Sequence, residues 1–387
     1  MSRVLFVVLA EKGHVHPFVG PAQELLRRGH TVGFYSPCDL REPLGRAGFA
    51  NENVFVGSHE APPPDVNRGL AFAELVADPA RLRAWIKAML VDTVPREVER
   101  LTAVVSEFGP DVIVADPMAY AAPIVAARAG VPWAGVSTSL NPVVPDDWES
   151  ELISTTSALP RARLFAEHGV YDSKFRVSDC LSRYLNVAFT TSELVGEPPP
   201  GVMLAGASLP LADRGDEGEV LELDERPLVY MALGSQIFHQ PRMFEVIIDA
   251  SRGQAWQLVL AVGDLRIDVP ADVKVVGYAP QLALLRRARA MISHGGANSV
   301  MEALAYGVPL MISPICNDQP HNARFVAEAG AGVTCDLSRA SVEDVRGMLA
   351  TLCGDGAVRE TVRRISRAYR DAGGAVKVAD AVTELVR

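Results

Sequence analysis

The residues of this chain best suited to chemistry lie in two places. The denser is in the C-terminal half, where His294-Gly295-Gly296 follows the short apolar run Ala290–Ser293 and precedes helix formers from Asn298 to Tyr306. Val300, Met301, Ala303 and Leu304 give that helix a core-facing side, Gly307 stops it, and Val308–Ser313 reads as the next strand. A strand, a glycine turn and a helix start aim free backbone N–H groups at one spot and suit an anion such as a phosphate. Glu302, one turn into the helix, and Asp318-Gln319, after the next strand, bring polar groups to the same sheet edge, where open α/β sheets bind ligands. The same letters admit a plainer reading: Ser299-x-x-Glu302 has capping-box spacing, and two glycines also mark a tight turn.

The second place is Gly13-His14-Val15-His16-Pro17, directly after the first apolar run. A histidine with a pKa near 6.5 serves as a base at neutral pH, provided a carboxylate orients its far nitrogen. Asp116, closing Asp111–Asp116, stands at a strand end, although an Asp before Pro is also an ordinary turn residue.

The elements that must position these groups alternate. Val4–Ala10 is a buried strand, a turn covers Glu11–His16, and a helix runs near Phe18–Arg28 with Pro17 at its entry. Thr31–Ser36, Asp111–Asp116, Val131–Thr138, Asn186–Thr191 and Val202–Ala205 complete a first set of strands. Residues 58–95 carry Pro62-Pro63-Pro64 and then helical pattern, and 139–180 reads as an irregular insertion. Pro198-Pro199-Pro200 and the acidic run Asp213–Glu225 mark a linker. A second set of strands follows at Leu228–Leu233, Gln257–Val262, Val273–Val276, Ala290–Ser293, Val308–Ser313 and Gly332–Cys335. The fold class is α/β, two Rossmann-like domains facing a cleft: an N-terminal domain over 1–206, a linker over 207–226, a C-terminal domain over 227–375 and a final helix in 376–387. The first unit lacks G-x-G-x-x-G, which argues against a dinucleotide there.

Composition narrows the partners. The 387 residues are 49% hydrophobic and 22% charged, as in globular proteins. A net charge of −10 without a long Lys/Arg block argues against nucleic acid. Five scattered cysteines form no C-x-x-C pair and point to a reducing cytoplasm, and no apolar run reaches the roughly 18–20 residues of a membrane span. No His/Cys cluster has metal spacing, so neither a metal nor another cofactor is expected.

The order His294-Gly295-Gly296-x-Asn298-Ser299-x-x-Glu302-Ala303-Leu304, Gly307-Val308-Pro309 and Asp318-Gln319-Pro320-x-Asn322 resembles the donor signature of the family 1 nucleotide-sugar glycosyltransferases. That family includes plant and mammalian UDP-glycosyltransferases and bacterial macrolide and carotenoid enzymes. The resemblance implies the GT-B architecture, whose last helix crosses back onto the first domain. It implies that His14, which has the family's spacing to Pro17, is the base with Asp116 as its partner, and leaves His16 to line the acceptor pocket. Gly234-Ser235 and His294, with Gly296, Asn298 and Ser299, would hold the donor diphosphate. Tyr278, where the family has Trp, would stack on the base and Gln281 approach it or the ribose; Glu302 would accept from ribose hydroxyls, while Asp318 and Gln319 would bind sugar hydroxyls. A Glu302 reading two ribose hydroxyls favours UDP over TDP, and adjacent sugar hydroxyls favour UDP-glucose over a deoxygenated TDP-sugar.

The implied activity is metal-independent, inverting transfer of a hexose to a hydroxyl of a lipophilic acceptor such as a polyketide, macrolide, carotenoid or phenol, with residues 58–95 and 139–180 shaping the acceptor pocket. The same fold also hosts a non-catalytic protein that activates a partner transferase, and nucleotide-sugar epimerases. Donor turnover without an acceptor separates the last of these.

Overall fold

The computed structural model describes residues 1–57, 68–148, 151–216, 218 and 221–386, with 151–157 as backbone. The triproline at 62–64 and part of the acidic run 213–225 lie outside these residues.

Continuous apolar runs form strands buried on both faces, as parallel sheets require. The first sheet takes β1 (Arg3–Val7), β2 (Thr31–Ser36), β3 (Val54–Val56), β4 (Val112–Ala115) and β5 (Trp133–Ser137). A small antiparallel hairpin, β6 (Lys174–Arg176) with β7 (Asp179–Leu181), stands apart; β8 (Leu185–Ala188) and β9 (Val202–Leu204) complete the sheet. Its order is β3-β2-β1-β4-β5-β8-β9, all parallel. The second sheet uses β10 (Leu228–Ala232), β11 (Gln257–Ala261), β12 (Val273–Val276), β13 (Ala288–Ser293), β14 (Leu310–Ile312) and β15 (Gly332–Thr334), in the parallel order β12-β11-β10-β13-β14-β15.

In each sheet the strand order reverses beside the first strand of its unit, between β1 and β4 and between β10 and β13. The connections on either side of such a point run to opposite faces and leave a crevice at the strands' carboxyl ends. The residues after β1 and β4 include His14 and Asp116, and those after β10 and β13 include Gly234-Ser235 and His294. The two switch points face each other across the cleft.

Several expected boundaries are corrected. Val8–Ala10 leave the sheet, and the first helix starts at Lys12, so both histidines are helical and Pro17 and Pro21 lie inside it. A proline lacks the N–H that would bond the carbonyl four residues back. Here both freed carbonyls find side chains: Gly13 O accepts from Asn298 Nδ2 of the second domain, and Pro17 O from Ser208 Oγ at 2.6 Å. The insertion at 139–180 is not irregular, since it holds the helix Glu151–Glu167 and the β6–β7 hairpin, and β3 was not anticipated.

The halves are also joined away from the cleft. Trp148 packs on Phe325 with ring centroids 4.6 Å apart, and Arg324 lies 3.9 Å over the same indole. The last helix, Gly374–Glu384, returns to pack on the helix Lys12–Arg27, where Arg28 Nη1 donates to Asp380 at 2.6 Å.

Candidate active site

A cavity of about 650 Å³ lies between the domains and is lined by residues of both. On the first-domain wall, His14 Nδ1 is 2.6 Å from Asp116 Oδ2. Asp116 is fully buried, and its other oxygen accepts from the Met118 N–H at 2.9 Å, which fixes the carboxylate. Thr138, just past β5, places its hydroxyl 2.9 Å from His14 Nδ1 and 3.0 Å from Asp116 Oδ2. An ionised carboxylate only accepts, so Nδ1 carries the proton and Nε2 is the atom left to take one. Burial by itself would depress the imidazole, but the charge and hydrogen bond of Asp116 outweigh it and raise the His14 pKa to about 9. Thr138 was not singled out from the sequence, although it closes the strand expected over Val131–Thr138.

His16 lines the cavity, but its Nε2 faces Asp216 of the linker at 3.7 Å, not the acceptor side expected of it. Burial and the neighbouring Arg214 push its pKa down to about 3, so it is neutral.

On the opposite wall, His294 sits with its ring against two glycines. A Cβ on Gly234 or on Gly296 would come within 2.8 Å of the imidazole, and Gly234 has φ +79° besides, so the ring's position depends on their having no side chains. Burial lowers the His294 pKa to about 4, and its Nδ1 is buried without a hydrogen-bond partner. The helix Ala297–Ala305 has Gly296 as its N-cap and no side-chain cap, so the Ser299–Glu302 capping box does not form. Its uncapped start, with Ser235, Gly296, Asn298 and Ser299 around it, lines the cavity and suits an anion.

At the far end, three residues expected to meet the nucleoside are already engaged. Glu302, 2% exposed, accepts from Arg214 on Oε1 and from Gln281 Nε2 on Oε2 at 2.7 Å. The hydroxyl of Tyr278 donates to Asp216 at 2.9 Å, and Lys12 Nζ lies 3.5 Å over its ring, so one face of the stacking surface is covered by a cation. Arg214, Asp216 and Lys12 were not singled out from the sequence. An acidic linker run carries no periodicity that could mark a buried arginine.

The sugar-side pair divides. Asp318 lines the cavity close enough to His14 for each to influence the other's titration; burial raises its pKa, and it accepts from Asn322 Nδ2 at 2.9 Å. Gln319 is 5% exposed, and its Oε1 accepts from the Ile315 and Cys316 N–H groups at 2.8 and 3.0 Å. Its carbonyl therefore shapes its own loop, which leaves the amide NH2 for the sugar role expected of it. Part of the first-domain wall is apolar, with Phe72, Trp85, Ile86, Met89 and Leu90, and polar Asn141 and Ser178 from the 139–180 segment also line the cavity. Phe72 reaches across to cluster with Ile237 and Cys316 of the second domain. Among the described residues, no group of three or more His, Cys, Asp or Glu is placed to hold a metal ion.

Residues 220–380 match the family described as UDP-glucoronosyl and UDP-glucosyl transferase. Over its full length the chain is 24% identical to demethyllactenocin mycarosyltransferase of Streptomyces fradiae, covering 87% of that protein. It is 26% identical to 4'-demethylrebeccamycin synthase of Lentzea aerocolonigenes, with both chains covered completely. Its fold matches the solved structure of the glycosyltransferase of kitacinnamycin with a TM-score of 0.77 at 23% identity, over 100% of this chain and 99% of that one. The chain has the GT-B fold of these glycosyltransferases. The family match takes in the second-domain wall of the cavity from Gly234 to Gln319, while Arg214 and Asp216 lie before it. No helix among the described residues is long and apolar enough to cross a membrane.

Proposed function

We propose that the protein is a glycosyltransferase that moves a hexose from a pyrimidine nucleoside diphosphate sugar, UDP-glucose among the donors, to a hydroxyl of a lipophilic natural-product acceptor, with inversion at the anomeric carbon. The observation that carries the reading is the His14–Asp116 pair facing the uncapped helix start and His294 across one cavity. His14 Nε2 takes the acceptor proton as the hydroxyl oxygen attacks the anomeric carbon. Asp116 supports the imidazolium that forms. The departing diphosphate is stabilised by backbone N–H groups of the helix Ala297–Ala305 and by Ser235 and neutral His294, dipoles already in place. Attack from the base's wall while the leaving group sits on the other is a single displacement and inverts configuration. The apolar wall from Phe72 to Leu90 supports a lipophilic acceptor, and relatives named for a mycarosyl transfer and a rebeccamycin synthesis support a natural product.

The expectation drawn from Glu302 loses its basis. With both Glu302 oxygens engaged, a preference for UDP over TDP does not follow from that residue, and sugar selection falls to Asp318 and the Gln319 amide NH2. Competition between UDP-glucose and a TDP-2,6-dideoxyhexose for one acceptor tests the sugar. Clear use of the dideoxy donor, unchanged in Asp318→Ala, would remove Asp318 from sugar recognition.

The donor site is expected to show itself without acceptor. UDP or TDP at millimolar concentration raises the midpoint of thermal unfolding, because a ligand of the folded form adds stability by mass action; at a hundred times Kd the gain is about 2.7 kcal/mol. A folded sample with no shift for either nucleotide contradicts the donor assignment. Turnover is expected to survive chelators, since the groups that hold the diphosphate in this reading are protein dipoles; a strict Mg²⁺ requirement overturns the metal-free reading.

A further inference from the structure

The segment joining the domains does more than span them. Gln23 of the first helix holds it from both sides: Oε1 accepts from the Leu211 and Ala212 N–H groups at 2.9 and 3.2 Å, and Nε2 donates to the Asp213 carbonyl at 2.7 Å. Gly215 then turns with φ +78° against Pro43, where a Cβ would stand 2.5 Å from the Pro43 carbonyl oxygen. Between these two anchors the side chain of Arg214 inserts into the cleft with 4% of its surface exposed. Its Nε donates to Asp216 at 2.6 Å and its Nη1 to Glu302 Oε1, while Gln281 holds the other oxygen of Glu302. Asp216 also accepts from Tyr278, so the linker is bonded directly to Tyr278 and Glu302, and through Glu302 to Gln281.

We infer that Arg214 sets the nucleoside selectivity of the donor site. By engaging Glu302, it removes the carboxylate acceptor for a ribose 2′-hydroxyl, and the site takes ribo- and 2′-deoxyribonucleoside diphosphates with comparable affinity. The inference rests on the donor reading above. A 2′-hydroxyl leaving water gains affinity only where it can donate to an acceptor, and a buried ionised carboxylate is the strongest available. A carboxylate already matched by a guanidinium and an amide has little left to offer. Nucleotide entry does not displace Arg214, because separating a buried ion pair leaves two uncompensated charges and costs more than one hydroxyl–carboxylate bond returns. Arg214 is thus a specificity-determining residue that acts through Glu302.

The test is calorimetric titration of the full-length protein with UDP and with 2′-deoxy-UDP. The wild type is expected to bind the two within about threefold, under 1 kcal/mol on the logarithmic scale. In Arg214→Met and Arg214→Ala the freed carboxylate is expected to favour UDP by about tenfold or more, the worth of a hydrogen bond to a charged group. Glu302→Gln, which has no charged acceptor, is expected to keep the wild-type ratio. A wild type that prefers UDP tenfold overturns the inference, as does a folded Arg214 variant whose ratio stays at the wild-type value. If the Arg214 variants fail to fold, the wild-type ratio alone decides in the same two directions. Failure of both nucleotides to bind the wild type is a different result: it removes the donor reading itself.

Discussion

His14→Ala is expected to lower turnover by about 10²–10⁴-fold, the usual worth of a positioned general base, while UDP affinity by calorimetry stays at the wild-type value. The split follows from the two walls. His14 is bonded to Asp116 and Thr138 on the first domain, whereas the uncapped helix, Ser235 and His294 belong to the second. His16→Ala is the control from the same helix. Its imidazole faces Asp216 and Arg214 and not the reacting wall, so its effect is expected on nucleotide affinity far more than on turnover. Equal losses of turnover in the two variants would show that the assignment within the pair is wrong. Loss of UDP binding in His14→Ala would show that the histidine holds the donor and is not a base.

Asp116→Asn is expected to change both the rate and its pH dependence. In the wild type the base must be neutral to accept a proton, and its pKa stands at about 9. Acceptor kcat/KM is therefore expected to rise about tenfold per pH unit and to level near pH 9. Asparagine keeps the shape but removes the charge that holds the pKa up against burial, so the plateau begins below pH 7. The plateau itself is expected to fall about 10²-fold or more, because the amide no longer fixes the tautomer or supports the imidazolium. Stability moves the opposite way with pH. A histidine pKa raised on folding stabilises fully below the unfolded value of 6.5 and loses that contribution as pH rises through about 9, and the variant lacks this dependence. A profile in Asp116→Asn that superimposes on the wild type, in rate and in unfolding, would mean that another group sets the ionisation.

The fold was legible because its strands are continuous apolar runs: Thr31–Ser36 and Val273–Val276 coincide with β2 and β12, and most others differ by one or two residues. His14 and Asp116 were legible because a parallel sheet brings consecutive strand ends to one edge, whatever the sequence distance. The first helix was misjudged because Pro17 normally marks an entry. Asn298 and Ser208 satisfy the carbonyls that its two prolines release, and those partners lie far along the chain. The orientation of Gln319 was not readable for a related reason: spacing shows that an amide is near a site but not which way its oxygen points. Arg214 was unreadable altogether, since its burial is decided by Gln23 and Pro43, residues with no local signature.

The return of the last helix has a consequence for anyone recombining such enzymes to change their acceptors. A single crossover near residue 206 would pair the helix Lys12–Arg27 of one parent with the helix Gly374–Glu384 of the other. The seam would cut the Arg28–Asp380 bridge, the bond from the Gly374 N–H to the Ala205 carbonyl at 2.7 Å and that from Lys377 Nζ to the Leu204 carbonyl at 2.8 Å. Along the chain the terminal helix belongs to the C-terminal half; in its contacts it belongs to the N-terminal half. A chimaera with a native seam therefore needs two crossovers, with residues 374–386 travelling together with 1–206.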